Sequence, residues 1–334
     1  MSEKYGSGDV AFFLVDGLNM LPSAFRGMSF GVKLLTQLTN GFGTTSKANT
    51  PNGISEYSLS MDEALLDTLT GATHATLKAM SAASRIVCWG VEGNAAGKHA
   101  SMAAASYLVG YVPTAANETL IKAKVEHLIS GVIDDGEIVQ PLAAKTIDWN
   151  TTATPADFAD DSAQRGIPIL SSSVASPSII TTDGAHGLVD NDKVAIFGHV
   201  SVAPDINDNP TASEAWKLIS HTVTVTGAGG SDKFSIPVNV TDGGTGGRVV
   251  KLNRTGGVGY IQVTALAGLT GFVGKIRHSD DASSWADLVT FSNITAAPGK
   301  QRVTYAGVCK RYLSFTGDVT GTGSLTVFAG LSRT

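Results

Sequence analysis

Apolar and polar residues alternate with a period of two through the last third of the chain, from Gly259 to Arg333. Gly259 to Leu266 alternates, Gly268 to Gly271 reads as a turn, and Phe272 to His278 resumes the period. Trp285 to Phe291, Gln301 to Ala306, Lys310 to Thr316 and Ser324 to Gly330 continue it, separated by Gly, Pro, Asp and Ser. Short alternating runs between turn residues predict an antiparallel sheet folded into a sandwich or barrel.

The earlier part of the chain is less regular. Val10 to Val15 is apolar enough for a buried strand, behind a polar arm. Residues 36–58 are rich in Gly, Asn, Thr and Pro and predict a long loop with Phe42 near its tip. Ser60-Met61-Asp62-Glu63 has the capping-box spacing. Ala64, Leu65, Leu69, Leu77 and Met80 then predict a short amphipathic helix, broken at Gly71. Arg85 to Val91 predicts a buried strand. Ala100 to Val109 fits a helix by its Ala and Met, or a strand by its Tyr and Val. Glu118 to Ile129 predicts a strand, with Glu137-Ile138-Val139 returning beside it through a turn at Asp134-Asp135-Gly136. Residues 151–166 read as a linker.

A second pattern occupies Ile179 to Gly247. Its Gly-punctuated strands fall at Lys193 to Phe197, His221 to Thr226 and Lys233 to Val238, with an irregular stretch over 204–213.

Composition narrows the function. With 29 acidic and 24 basic residues the formal charge is -5, which argues against a protein that grips nucleic acid by its phosphates. A mildly acidic surface instead lets DNA pass without adhering. The two cysteines, Cys88 and Cys309, each lie in an apolar run and read as buried free thiols. No stretch has the apolar core of a signal peptide or the ~20 residues of a membrane helix. The expectation is a soluble protein without membrane insertion.

Candidate chemistry is thin. Gly93-Asn94-Ala95-Ala96-Gly97-Lys98-His99 is one residue short of a phosphate-binding loop and has His99 where Ser or Thr is required, so it reads as a surface turn. His278-Ser279-Asp280 holds the residue types of a hydrolase triad, but neighbours along a strand point apart. Asp205, Asn207, Asp208 and Asn209 offer oxygen ligands without the Gly and Glu of a calcium loop, and read as a solvated loop. No His spacing suggests zinc. Lys310-Arg311 reads as a subunit salt bridge or a solvent-facing pair rather than an anion patch. The expectation is no enzyme, metal or cofactor.

The order Tyr260 to Leu266, Ile276 to Leu288, Lys310 to Leu313 and Gly321 to Arg333 resembles the ending of major tail tube proteins of long-tailed, non-contractile bacteriophages. Thr181 to Leu188, Asp192-Lys193-Val194, Lys233 to Ile236 and Gly243 to Gly247 are similar to a small β-barrel module inserted in phage tail proteins. They also resemble a half-domain of ubiquitin-activating enzymes, whose catalytic part has no counterpart here. With the module excised, Ala163 to Gly166 runs into Gly259 to Val263 as in an uninterrupted tube domain.

The resemblance implies a mainly β tail-tube sandwich or barrel with a short helix, formed by 1–166 and 258–334, with 167–257 as an inserted outer barrel. It implies a structural subunit of stacked hexameric rings in the virion tail, assembled in the host cytoplasm, whose lumen conducts DNA during ejection. Its partners are copies of itself and the tape measure, tail terminator and distal tail proteins. The loop 36–58, with Asn40, Phe42, Thr45, Lys47, Asn49 and Pro51, would reach the next ring. Gln262, Lys275, Arg277, Lys310 and Arg311 would lie on an intersubunit sheet, and the lumen would carry acidic and small polar side chains. The alternative is a tail or capsid decoration protein whose module binds a surface or carbohydrate.

Overall fold

The computed structural model describes residues 10–20, 24–38, 49–65, 84–90, 92–114, 122–130, 132–146, 156–157, 166–200, 202–208 and 220–333. The strands are β1 (Phe12–Val15), β2 (Leu18–Asn19), β3 (Ala24–Leu38), β4 (Asn49–Leu65), β5 (Arg85–Gly90), β6 (His99–Thr114), β7 (Lys122–Ile129), β8 (Asp134–Lys145) and β9 (Ala156–Asp157). They continue with β10 (Ile167–Ser172), β11 (Ser178–Thr182), β12 (Lys193–Phe197), β13 (His221–Thr222), β14 (Lys233–Ile236) and β15 (Arg248–Lys251). The last are β16 (Arg254–Ser279), β17 (Ala286–Thr290), β18 (Gly299–Cys309) and β19 (Tyr312–Arg333).

The fold is mainly β, and no helix occurs among the described residues. Two sheets divide the strands. The larger runs β17-β16-β19-β8-β6-β5-β1-β2, with β18 also on β16, β9 on β19, and β7, β4 and β3 added in turn from β6. The smaller runs β13-β12-β15-β10-β11-β14. Thr224, just past β13, bridges Ser235 of β14 and brings the ends of that order together, so this sheet nearly closes into a barrel. Ile180, Val194, Ile196, Phe234, Ile236 and Val249 fill it.

In the larger sheet, alternation decides which core each side chain joins. Phe12, Leu14 and Cys88 pack with Met102, Tyr260 and Phe328 on one side of β1 and β5. Phe13, Val15, Val87 and Trp89 pack on the other side with Leu59, Met61, Val125 and Ile129. A strand covered on both faces reads as an unbroken apolar run, which is why β1 is Phe-Phe-Leu-Val. A third core, under β16 to β19, holds Ile261, Phe272, Ile276, Phe291, Leu313 and Phe315.

Several expectations are corrected. The separate strands either side of Gly268 to Gly271 form one strand of 26 residues, β16, paired along its length with the 22-residue β19. The glycines are absorbed as register shifts: Gly268 has φ +74° and opposes the stretch around Gly321, at φ +102°. The capping box at Ser60 lies inside β4, where Ser60 pairs with Ser29 and Glu126, so the expected helix does not begin there. Its remainder, 66–80, lies outside the described residues. Asp134 opens β8, which pairs with β6 and β19 and not with β7, so no hairpin joins Glu118–Ile129 to Val139. The stretch 100–109 is strand.

Gly274 shows how tightly the long ladder packs. A Cβ there would stand 2.6 Å from Phe315 Cζ and 2.8 Å from Ile261 Cδ1, because the Phe315 ring covers the glycine from the neighbouring strand. Gly274→Ala is expected to lower stability by about 1–3 kcal/mol through overpacking, read as a lower urea midpoint at unchanged slope. No loss would show that the ring has room to move.

Candidate functional site

One portion of the larger sheet extends beyond the rest. The ladder β6–β7–β4–β3 is antiparallel at every step: Tyr111 opposes Val125, Val125 opposes Met61, and Met61 opposes Met28. Among the described residues β3 pairs with β4 alone, and β6 from Tyr107 to Thr114 pairs with β7 alone. Among the described residues the four-stranded unit thus has a strand edge on each side that no other strand covers. Such edges are liabilities unless another chain covers them. Val109 and Val112, on the β6 edge, are 60% and 59% exposed.

The inner face of this unit is apolar and rests on β1 and β5. Its outer face presents Ser29, Gly31, Ser58, Ser60, Lys124 and Glu126. Ser29 Oγ and Ser60 Oγ stand 2.7 Å apart, and Lys124 Nζ lies 2.6 Å from Glu126 Oε1. Lys122 shares this face, as does the exposed Val112 opposite Lys124, so among the described residues it is mostly small and polar, with two lysines against one glutamate.

His127 of β7 points inward and is buried. Its Nδ1 is 3.1 Å from Ser106 Oγ, and its ring meets Phe13 edge-on. Nε2 is buried with no hydrogen-bond partner among the described residues. Burial first, and the Arg85 cation second, pull its pKa down to about 4, against the opposing field of Asp16.

The β1–β2 hairpin turns on Asp16 (φ 51°) and Gly17 (φ 84°), the pair suited to a two-residue turn with positive φ at both positions. Asp16 Oδ2 accepts from Arg85 Nη1 at 2.8 Å, and Oδ1 accepts from Ile86 N at 2.8 Å and pairs with Lys300 Nζ. Gly17 N donates to Gln262 Oε1 at 2.6 Å, while Gln262 Nε2 donates to Cys88 Sγ at 3.0 Å. This polar cluster pins the hairpin to β16 and β18. The Asp-Gly dipeptide between Val15 and Leu18 was the sequence signal for it.

The residues expected on an intersubunit sheet separate accordingly. Gln262 is fully buried in the cluster just described. Lys275 and Arg277 are partly exposed and both reach Asp287 of the adjacent β17, at 3.2 and 3.3 Å. Lys310 pairs with Asp280 at 3.1 Å, and Arg311 with Asp208 at 2.8 Å. Lys310-Arg311 thus makes its ion pairs within the chain, and Arg311 does not face solvent. Asp208 is likewise buried, not part of a solvated loop; Asn207 donates to Asp205 Oδ1 and to His199 O, and accepts from His199 N. Asn49 and Pro51 lie in β4 opposite Leu38 and Thr36, so both ends of the expected loop are strand. Asn40, Phe42, Thr45 and Lys47 lie outside the described residues.

Two features resemble enzyme parts. His199 Nε2 is 2.9 Å from Ser172 Oγ, and its Nδ1 is 2.6 Å from the Gly246 carbonyl, the spacing of a nucleophile, a base and an orienting group. Both side chains are buried, and Ser172 Oγ already accepts from Gly244 N at 2.8 Å, so the set ties β10 to the Gly-rich segment. A cleft of about 450 Å³ between the two sheets is lined by Asp135, Glu137, His186, Lys251, Arg254 and Arg333. Its His186 is satisfied through both ring nitrogens, by Lys233 O and Leu188 N. His278 and Ser279 diverge: His278 Nδ1 accepts from Lys310 N at 3.4 Å, and Ser279 Oγ donates to Asp281. Among the described residues no group of three or more His, Cys, Asp or Glu could hold a metal. Cys88 and Cys309 are buried and free, and burial raises their thiols to about 12 and 11.

No family model and no curated protein matches the chain. The functional reading therefore rests on the residues and on the sheet they build.

Proposed function

We propose that this protein is the structural subunit of a phage tail tube, in which the four-stranded unit β6–β7–β4–β3 joins the same unit of neighbouring copies. The supporting observation is the pair of strand edges that no other strand among the described residues covers. Four is an even number. In a ring, copies related by rotation keep their strand directions, so β3 of one copy runs antiparallel to β6 of the next. The seam repeats the pairing within the unit, and a head-to-tail interface of this kind closes into a ring.

Six such units would surround a lumen wide enough for DNA, lined by the outer face with its serines and glycines and the Lys124–Glu126 pair. With two lysines and one glutamate among small polar residues, this face lacks the dense cationic lining that grips a polyanion, as passage requires. In this reading the segment that joins β3 to β4 makes the ring-to-ring contact. In this reading the tape measure, terminator and distal tail proteins are the tube's other partners, and assembly takes place in the host cytoplasm.

Electron microscopy of the purified protein tests the proposal: hollow tubes or stacked six-fold rings are expected. Val109→Lys/Val112→Lys places two cations on the β6 edge and is expected to leave folded monomers without tubes, with an unchanged circular dichroism spectrum. Tubes formed as readily by this variant would exclude the β6 edge from the seam.

The decoration-protein alternative is less well supported. A shallow groove of about 660 Å³ on the smaller sheet is lined by Ser176, Thr224, Thr226 and Ser235 beside Pro177 and Pro237. Among the described residues it has no aromatic platform: Phe234 is in the barrel core and Phe197 packs against Ala195 and Leu252, while Trp216 lies outside the described residues.

A further inference from the structure

Arg311 stands in the turn between β18 and β19, and Asp208 belongs to the segment beside the smaller sheet. Their side chains are 4% and 0% exposed, and Nη2 lies 2.8 Å from Oδ2. The ion pair is therefore sealed between the two sheets. Arg311 also lies over the Tyr312 ring, 5.0 Å from its centroid. A small cavity of about 50 Å³ beside it is lined by Lys193, Ser220, Leu252, Asn253 and Asp280. Around this point only Leu252 and Asn253 separate β15 from β16. Lys193 N donates to Asn253 Oδ1 at 2.8 Å, and Arg333 Nη1 donates to Leu252 O at 3.3 Å.

We infer that the Arg311–Asp208 pair is a latch that fixes the smaller sheet in one orientation on the larger, making it a rigid projection and not a tethered appendage. Domains joined by a modest interface move relative to each other by default. A buried pair opposes that motion because opening or sliding the seam parts two charges that have no water at hand. The same property selects one seating: any other apposition leaves both charges buried and unpaired. Lys310–Asp280 and Lys193 stand at the rim, and His221, which lies in the field of Asp208, donates from Nε2 to Ile206 O at 2.9 Å. Neither Lys310 nor His221 replaces the latch, since Lys310 is paired at the rim and His221 bonds within its own sheet. The latch does not depend on the tube reading.

The test is a distance distribution between spin labels at Val132→Cys, just before β8, and Val189→Cys, between β11 and β12, both exposed while Cys88 and Cys309 are buried. Labelled chains are diluted into unlabelled protein. A single narrow distribution is expected for the parent, and one broader by about twofold or more for Asp208→Asn. Arg311→Met/Asp208→Leu, which removes both charges, is expected to return a narrow distribution. If Asp208→Asn fails to fold, Arg311→Lys, which keeps the charge but loses the planar fork, is expected to broaden it instead. A distribution as narrow as the parent's in a folded single variant would overturn the latch, as would a broad one in the parent.

Discussion

Asp16→Ala is expected to destabilise the protein by about 2–4 kcal/mol, seen as a large fall in the urea midpoint. The Asp16 carboxylate lies between two cations, Arg85 and Lys300, and also accepts the Ile86 N–H. Its own side chain is 10% exposed, while Arg85 and Lys300 retain 23% and 33%. Without Asp16 these like charges face each other with little water between them. Breaking a fully buried pair costs about 3–5 kcal/mol, and the residual exposure of both cations scales that down. Alanine also fits a backbone at φ 51° poorly. Asp16→Asn keeps a turn-forming side chain and an acceptor for Ile86, so roughly half the loss is expected. A change below about 0.5 kcal/mol for Asp16→Ala would mean that the hairpin is held by Phe12, Phe13 and Leu14 alone.

Acid is expected to weaken the protein through His127 in a defined window. The folded value near 4 lies below the ordinary 6.5, so the unfolded chain takes up the proton first as pH falls. Stability attributable to this residue is complete above about pH 6.5 and declines down to about pH 4. Each pH unit between them removes about 1.4 kcal/mol, roughly 3 kcal/mol in all. His221 and His278 are lowered by burial and add in the same direction. Asp190 and Asp281, held below the usual carboxylate range by hydrogen bonds to Thr226 and to Ser284, act at lower pH. Urea midpoints between pH 7 and pH 4 should fall less steeply in His127→Gln than in the parent. Equal slopes would assign the acid loss elsewhere.

The β class was legible because alternation and turn residues are local signals, and the runs around Val10, Arg85 and Lys193 all fall in strands. What misled was local chemistry overruled by distant partners. Ser60 and Glu63 have the spacing of a helix start, yet β3 and β7 flank them on both sides and claim the backbone. Gly268 and Gly321 look like turns from either strand separately; only the pairing of β16 with β19 around them makes them irregularities of one ladder. Gln262 looked like a surface residue because its polar side chain has no local partner, and its bonds are to Gly17 and Cys88, far back in the chain. Arg311 and Asp208 could not have been joined by any periodicity. The two open edges of β6 and β3 depend on the full order of strands, which a pattern of single strands does not contain.

The pairing of β10 with β15 also bears on how the chain folds. Ile167 opposes Val249 and Pro168 opposes Arg248, so the smaller sheet begins and ends at adjacent points. Between them runs a segment of roughly 85 residues; once it is folded, the larger sheet sees only a tight turn, sparing about 2.5 kcal/mol of closure entropy. β8 must find β19 across this segment, a pairing remote enough to be slow. If the smaller sheet collapses first, it shortens that search, so a segment of this size adds little to the barrier of the pairing it interrupts.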